Sequence, residues 1–228
     1  MENIPVKRFV AQSFQTTESI KTLRTNLLFS GEDIHVVALT SAQASEGKST
    51  LAFQLSASFA ESGKRVLLLD ADLRNSTYIR RLRIRKPTSG LCHCLTGMVP
   101  LRDCLMETDI PGFYLLLAGA QVPNAAELLG GNNFKRLIAT LRESFDIVIV
   151  DTAPLGLVID SAVVAPEMDG VVLVIDSTNN SYKSEQRVIA QLKKTGCKLL
   201  GVVLNRVDDP TERKDYGKAY GYGKQLDV

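Results

Sequence analysis

Residues Leu39–Leu51, LTSAQASEGKSTL, constrain this chain more than any other stretch. An apolar run, Val36-Val37-Ala38-Leu39, feeds a small polar loop that closes on Gly47-Lys48-Ser49-Thr50, and a helical pattern follows. Strand, loop and helix start in that order are the setting of a phosphate-binding loop. A helix N-terminus offers unpaired N–H groups and partial positive charge, which suit a polyphosphate. Gly47 allows close backbone approach, Lys48 reaches outer phosphate oxygens, and the Ser49 hydroxyl completes a Mg²⁺ shell. Glu46 and Thr50 flank these groups as further lining positions. The loop departs from GxxxxGK[ST]: Ala42 stands where the first Gly belongs, and Ser45 stands two before Gly47. If Ser45 must take φ > 0, it costs about 1 kcal/mol relative to Gly.

At 228 residues the chain is long enough for one α/β domain, with or without tails. A hydrophobic share of 45 % supports a real core, and a net charge of +2 makes no general case for nucleic acid. No apolar run has the length of a membrane span, and the N-terminus lacks a signal-peptide pattern. The expectation is a cytoplasmic protein whose membrane role, if any, needs a partner. Cys92-His93-Cys94 places one residue between its thiols, not the spacing of a zinc site, and no second Cys/His pair completes one. The four cysteines read as free thiols.

Three segments carry the rest of the chemistry. Val66–Leu69 is a strand ending in Asp70-Ala71-Asp72, and Ile147–Val150 is another ending in Asp151. Carboxylates at the carboxyl ends of buried strands sit where open α/β sheets bind ligands, and they call for a cation. The strand Leu199–Asn205 ends in Asn205-Arg206, whose amide suits either a nucleotide base edge or a turn. Strands also read over Ile34–Leu39, Phe113–Ala118 and Val171–Asp176. Helices read from Lys48 to about Ser62, over Asn132–Ser144 and over Tyr182–Thr195, with short helical pieces over Leu91–Glu107. This alternation predicts a P-loop-type α/β sandwich of three layers, a mostly parallel sheet with helices on both faces. Residues 1–17 read as a mixed polar arm of little order, 18–207 as the domain, and 208–228 as a flexible tail containing Tyr216, Tyr220 and Tyr222. In the helix Glu18–Phe29, capped by Thr16 or Thr17, the residues Glu18, Lys21 and Arg24 fall three apart on a polar side. The basic run Arg80, Arg81, Arg83, Arg85, Lys86 reads as a solvated helix end or a docking patch for an acidic segment.

Taken together, these pieces resemble the bacterial tyrosine kinases of capsule and exopolysaccharide synthesis, in their stand-alone cytoplasmic form. TSAQASEGKST is similar to that family's Walker A motif, VLLLDADLRNS to its Walker A′ and FDIVIVDTAP to its Walker B. ESIKTLRTNLLF is similar to its oligomerisation helix, VPNAAELL and TGCKLLGVVLNR also match, and YGKAYGYG is similar to its tyrosine cluster. The chain departs from the family pattern at Ala44-Ser45, where Pro-Gly is usual, at Lys21, where Arg is usual, and in a tail of only three tyrosines.

The resemblance implies ATP and Mg²⁺ as cofactors, with Lys48 and the loop amides on the outer phosphates. It places Ser49, Asp72 and Asp151 around the metal and Asp70 as the group that accepts the tyrosine proton. It implies a ring-like homo-oligomer through Glu18, Lys21 and Arg24, tails phosphorylated in trans at Tyr216, Tyr220 and Tyr222, and recruitment to the inner face of the membrane by an adaptor. A cognate phosphatase is a further implied partner; nucleic acid is not. The rival reading is a ParA/MinD-like ATPase switch, which would carry a signature Lys where Gln43 stands. A non-catalytic nucleotide-binding adaptor is a third.

Overall fold

The computed structural model describes residues 4–10, 13–84, 89–178 and 181–207. Tyr216, Tyr220 and Tyr222, and Arg85 and Lys86 of the basic run, lie outside the described residues.

The strands β1 (Val36–Ser41), β2 (Val66–Asp70), β3 (Met106–Glu107), β4 (Phe113–Leu116), β5 (Ile147–Asp151), β6 (Gly170–Asp176) and β7 (Leu199–Asn205) form one sheet in the order β3-β4-β2-β5-β1-β6-β7. Every pairing is parallel except β3 with β4. The central strands β1, β2, β5 and β6 are buried along their whole length, which is why their sequences run apolar without alternation.

Alternate residues of each strand feed two separate cores. Val36, Ala38, Val148, Val150, Leu173 and Ile175 pack on one face with α4 (Asn132–Ser144) and α5 (Tyr182–Lys194). Val37, Leu39, Ile147, Ile149, Val172 and Val174 pack on the other with α1 (Phe14–Leu28) and α2 (Lys48–Glu61). The three-layer arrangement expected from the sequence is the one observed. In α4 the apolar stripe Phe134, Leu137, Ile138 and Leu141 is the buried face.

Differences from expectation cluster at the edges. Helix α1 begins at Phe14, because the Ser13 hydroxyl, rather than Thr16 or Thr17, caps it by accepting the Thr16 N–H at 3.2 Å. The segment before it packs on the domain. Val6 is fully buried, the Val6 and Lys7 N–H groups donate to Asp109 Oδ1 at 2.7 and 3.1 Å, and the Phe9 ring meets Phe53 edge-on at 6.5 Å. Three well-placed apolar residues, Ile4, Val6 and Phe9, anchor what reads as a polar arm. The helical reading of Leu91–Glu107 holds for Leu91–Leu95 and Leu101–Cys104 but not for β3, whose two residues are too few to show a period.

Candidate active site

The loop between β1 and α2 turns on two left-handed residues, Ser45 at φ 68° and Gly47 at φ 88°. The conformation that Gly adopts freely is thus imposed on a serine. Three side chains brace the loop. Glu46 folds back so that its Oε2 accepts the Gln43 N–H at 2.9 Å. Asn205 Nδ2 donates to the Glu46 carbonyl at 2.8 Å, and any side chain at Gly47 would collide with that amide. Arg206 Nη2 donates to the Ser45 carbonyl at 2.8 Å while its Nη1 pairs with Asp176. Glu46, Asn205 and Arg206, read from the sequence as nucleotide-lining, are here engaged with the loop itself; Glu46 and Arg206 also line the cleft.

Register brings the acids together. β5 lies between β1 and β2, so Asp151 sits opposite Leu39 on one side and Asp70 on the other. Lys48 Nζ reaches across to pair with Asp151 Oδ1 and lies 3.5 Å from the Ser49 hydroxyl. Asp70 is fully buried. It accepts the Ser76 hydroxyl and, at 3.4 Å, the Ala118 N–H. Burial, followed by the neighbouring Asp151 charge, pushes the Asp70 carboxyl up to about 7, against the pull of the Ser76 bond. Asp72 is half-buried, and its Oδ1 accepts the Asn75 N–H at 2.9 Å. Among the described residues no group of three or more His, Cys, Asp or Glu side chains is disposed to cage a metal. Ser49, Asp72 and Asp151 therefore do not amount to a ready-made metal centre and would share a cation with ligand oxygens or water.

Three residues here were not singled out for chemistry in the sequence. Tyr78 opens the short helix α3 (Tyr78–Arg81) with a buried ring, and its hydroxyl meets Asp151 Oδ2 at 2.9 Å and the Ser49 carbonyl at 3.0 Å. Burial, then the charges of Asp151 and Asp70, hold the phenol well above its ordinary pKa, so it is a donor. Arg81 Nη2 donates to the Thr50 hydroxyl. Arg74 clamps Asp160 through two bonds, at 2.7 and 3.0 Å. The available signal was position: all three follow Asp70-Ala71-Asp72 within a dozen residues.

The loop, Asp72, α3 and the segment after Asp151 enclose a cleft of about 470 Å³, within the range of ligand sites. Lys48, Arg74, Arg80 and Arg81 line it, and the N-terminus of the long helix α2 opens at Lys48. The turn geometry, the cations and the helix end fit a polyphosphate nucleotide.

The expected oligomerisation residues are split. Lys21 pairs with Glu18 at 2.8 Å on the exposed face of α1. Arg24 instead turns inward, donating to the Ser58 carbonyl at 2.6 Å and the Ser58 hydroxyl at 3.2 Å on α2.

Comparison with known proteins adds five findings. The AAA domain model matches residues 34–199. The tyrosine-protein kinase CpsD of Streptococcus agalactiae is 35 % identical over 94 % of this chain and 93 % of its own. The putative tyrosine-protein kinase CapB of Staphylococcus aureus is 30 % identical over 91 % and 90 %. Among solved structures, the kinase domain of the Escherichia coli tyrosine kinase ETK superposes with a TM-score of 0.80 at 29 % identity, covering 92 % of this chain and 84 % of that one. The septum site-determining protein MinD of Pyrococcus horikoshii, complexed with Mg-ADP, shares the fold at 23 % identity and a TM-score of 0.63, covering 80 % and 76 %.

Proposed function

The chain belongs to the bacterial tyrosine-protein kinases of capsule and exopolysaccharide synthesis, built on an AAA-type nucleotide-binding domain, and we propose that it phosphorylates its own C-terminal tyrosines in trans. The observation that carries this reading is geometric: Lys48 and Asp151 pair at the end of β5, and the register sets Asp70 directly opposite Asp151, where burial and that neighbouring charge push its carboxyl up to about 7. Base catalysis is most effective when the pKa lies near the working pH. A phenol of pKa near 10 needs such an acceptor or a late proton transfer.

Bound Mg²⁺–ATP would supply the transferable phosphoryl group and neutralise the charge that develops on it. The residues that would hold it are Gly47, Lys48, Ser49 and Thr50 toward the phosphates, and Ser49 with Asp72 and Asp151 toward the metal. With nucleotide present, the Lys48 ammonium would exchange its Asp151 partner for phosphate oxygens. Asp70, beside the Lys48–Asp151 pair, takes the proton of the incoming tyrosine hydroxyl. Glu46, Asn205 and Arg206 keep the loop in its two left-handed turns, whichever base is bound. The acceptors are Tyr216, Tyr220 and Tyr222. From Asp209 to Tyr222 an extended chain spans about 45 Å, enough to enter a neighbour's cleft.

That neighbour is a second copy in a ring assembled along α1, with Glu18, Lys21 and Arg24 at or near the contact. Each phosphate brings nearly two negative charges to the tail, which loosens the ring. A membrane adaptor of the polysaccharide export system recruits the protein to the inner face of the membrane and activates it, and a phosphatase resets the tail. Among the described residues no helix is long and apolar enough to cross a membrane.

The test is to incubate purified protein with ATP and Mg²⁺ and map phosphate by mass spectrometry. Label on Tyr216, Tyr220 and Tyr222 is expected, and ATP hydrolysis without phosphotyrosine would favour a MinD-like switch instead. Mixing a Lys48→Met protein with a tail-deleted but otherwise intact one must label the Lys48→Met tails. No label in that mixture excludes transfer in trans.

A further inference from the structure

The Asp151 carboxylate receives two side-chain donors among the described residues, one on each oxygen. Lys48 pairs with Oδ1, and the Tyr78 hydroxyl donates to Oδ2 at 2.9 Å. The two donors differ in freedom. Lys48 swings on a four-carbon stem and has a second task in the loop. Tyr78 has two side-chain torsions, its ring is 2 % exposed, and it packs in the core on the α2 face of the sheet. Its oxygen also lies 3.0 Å from the Ser49 carbonyl, a second acceptor for the one phenol proton, on the residue that bears the metal-facing hydroxyl.

We propose that Tyr78 is a positioning residue that keeps Asp151 oriented when Lys48 lets go. The proposal rests on the kinase reading. Once the ammonium turns to phosphate, Asp151 loses its charged partner and keeps a single neutral donor. A buried carboxylate freed of its partner would rotate or draw in water. The fixed phenol prevents this by holding Oδ2 and leaving Oδ1, the oxygen that Lys48 vacates, directed into the site. The Ser49 carbonyl, 3.0 Å from the same hydroxyl, competes for its one proton, and the negative charge of Asp151 makes the carboxylate the stronger acceptor. Phosphoryl transfer depends mainly on positioning, so this arrangement bears on the rate more than on nucleotide capture.

Tyr78→Phe in the full chain keeps the ring and removes only the hydroxyl. Expected is a fall in kcat for autophosphorylation of about tenfold, the effect of one hydrogen bond to a charged group, with the Mg²⁺ requirement shifted upward. Affinity for ADP measured without metal should change less than about threefold, because Lys48 and the loop amides that face phosphate are untouched. Unchanged kcat and Mg²⁺ dependence in an active preparation overturns the proposal, as does an ADP affinity that falls in step with kcat. An inactive wild-type protein would instead count against the kinase reading. A second readout needs no turnover. Melting temperatures of the nucleotide-free wild type, Lys48→Met, Tyr78→Phe and the double variant form a cycle. The loss of the hydroxyl should lower the melting temperature more in the Lys48→Met background, where Tyr78 alone holds Asp151, than in the wild type. Additive shifts would mean that the two donors do not share one task, and the proposal would fall.

Discussion

Lys48 and Asp151, 103 residues apart, meet as an ion pair whose side chains are 6 % and 1 % exposed. The loop lysine and the strand-end acid neutralise each other where the sheet register sets Asp151 beside β1. Removing one member of a buried pair strands the other charge, at a cost of about 3 kcal/mol. Lys48→Met should therefore abolish tyrosine phosphorylation and also lower the unfolding free energy by about that amount, read by urea titration at pH 8. Adding Asp151→Asn should restore most of the loss without restoring activity, and a double variant as unstable as the sum of the singles would contradict this account.

Asp70 gives a pH dependence of unusual sign. Its carboxyl titrates near 3.8 when unperturbed and near 7 in the fold. Between those values the folded state binds more protons than the unfolded state, so stability falls as pH rises from about 4 to about 7 and then levels. The full contribution is about 4 kcal/mol as an upper estimate. Asp70→Asn removes the ionisation. The variant should match the wild type near pH 4.5, exceed it in stability by a few kcal/mol at pH 8, and have no kinase activity. Parallel pH profiles for the two proteins would show that Asp70 is not the titrating group.

Ser45 tests the departure that the loop shows from its family pattern. A serine held at φ 68° is strained relative to glycine by about 1 kcal/mol. Part of the relief is returned as unfolded-state entropy, so Ser45→Gly should stabilise the protein by about 0.5 kcal/mol, a rise of one or two degrees in melting temperature. Nucleotide affinity should hold or improve, because Arg206 bonds the carbonyl of residue 45 and not its side chain. Destabilisation would mean that the Ser45 side chain contributes contacts beyond its backbone turn.

These predictions draw on features of uneven legibility. β2, β5 and their terminal acids could be read directly because strands buried on both faces are written as unbroken apolar runs. The turn at Ser45 was legible as a condition, since only the missing glycine hinted at a positive φ. Tyr78 was not, because its partners Ser49 and Asp151 lie 29 and 73 residues away and nothing in a local period reports such a meeting. Asn205 was singled out, but its partner was hidden for the same reason, since its amide closes on the loop 159 residues upstream. Ile4, Val6 and Phe9 were obscured by the polar residues between them, although burial at those positions anchors the N-terminal segment.

Arg24 and Glu18 sit in one sequence motif but make different contacts, which separates folding from assembly. Arg24 donates to the carbonyl and hydroxyl of Ser58, tying α1 to α2 within one chain. Losing those bonds by Arg24→Ala should cost about 1.5 kcal/mol, visible as a lower melting temperature at protein concentrations where the chain is monomeric. Glu18 and Lys21 pair on an exposed face, and the double change to alanine should leave monomer stability within about 0.5 kcal/mol. If the ring forms along α1, sedimentation of the Glu18→Ala/Lys21→Ala protein should show loss of the large species with an unaltered melting curve. Retention of the large species would remove these two residues from the contact. A monomer melting curve unchanged by Arg24→Ala would mean that its bonds to Ser58 add little in solution, leaving that guanidinium available to a neighbouring chain.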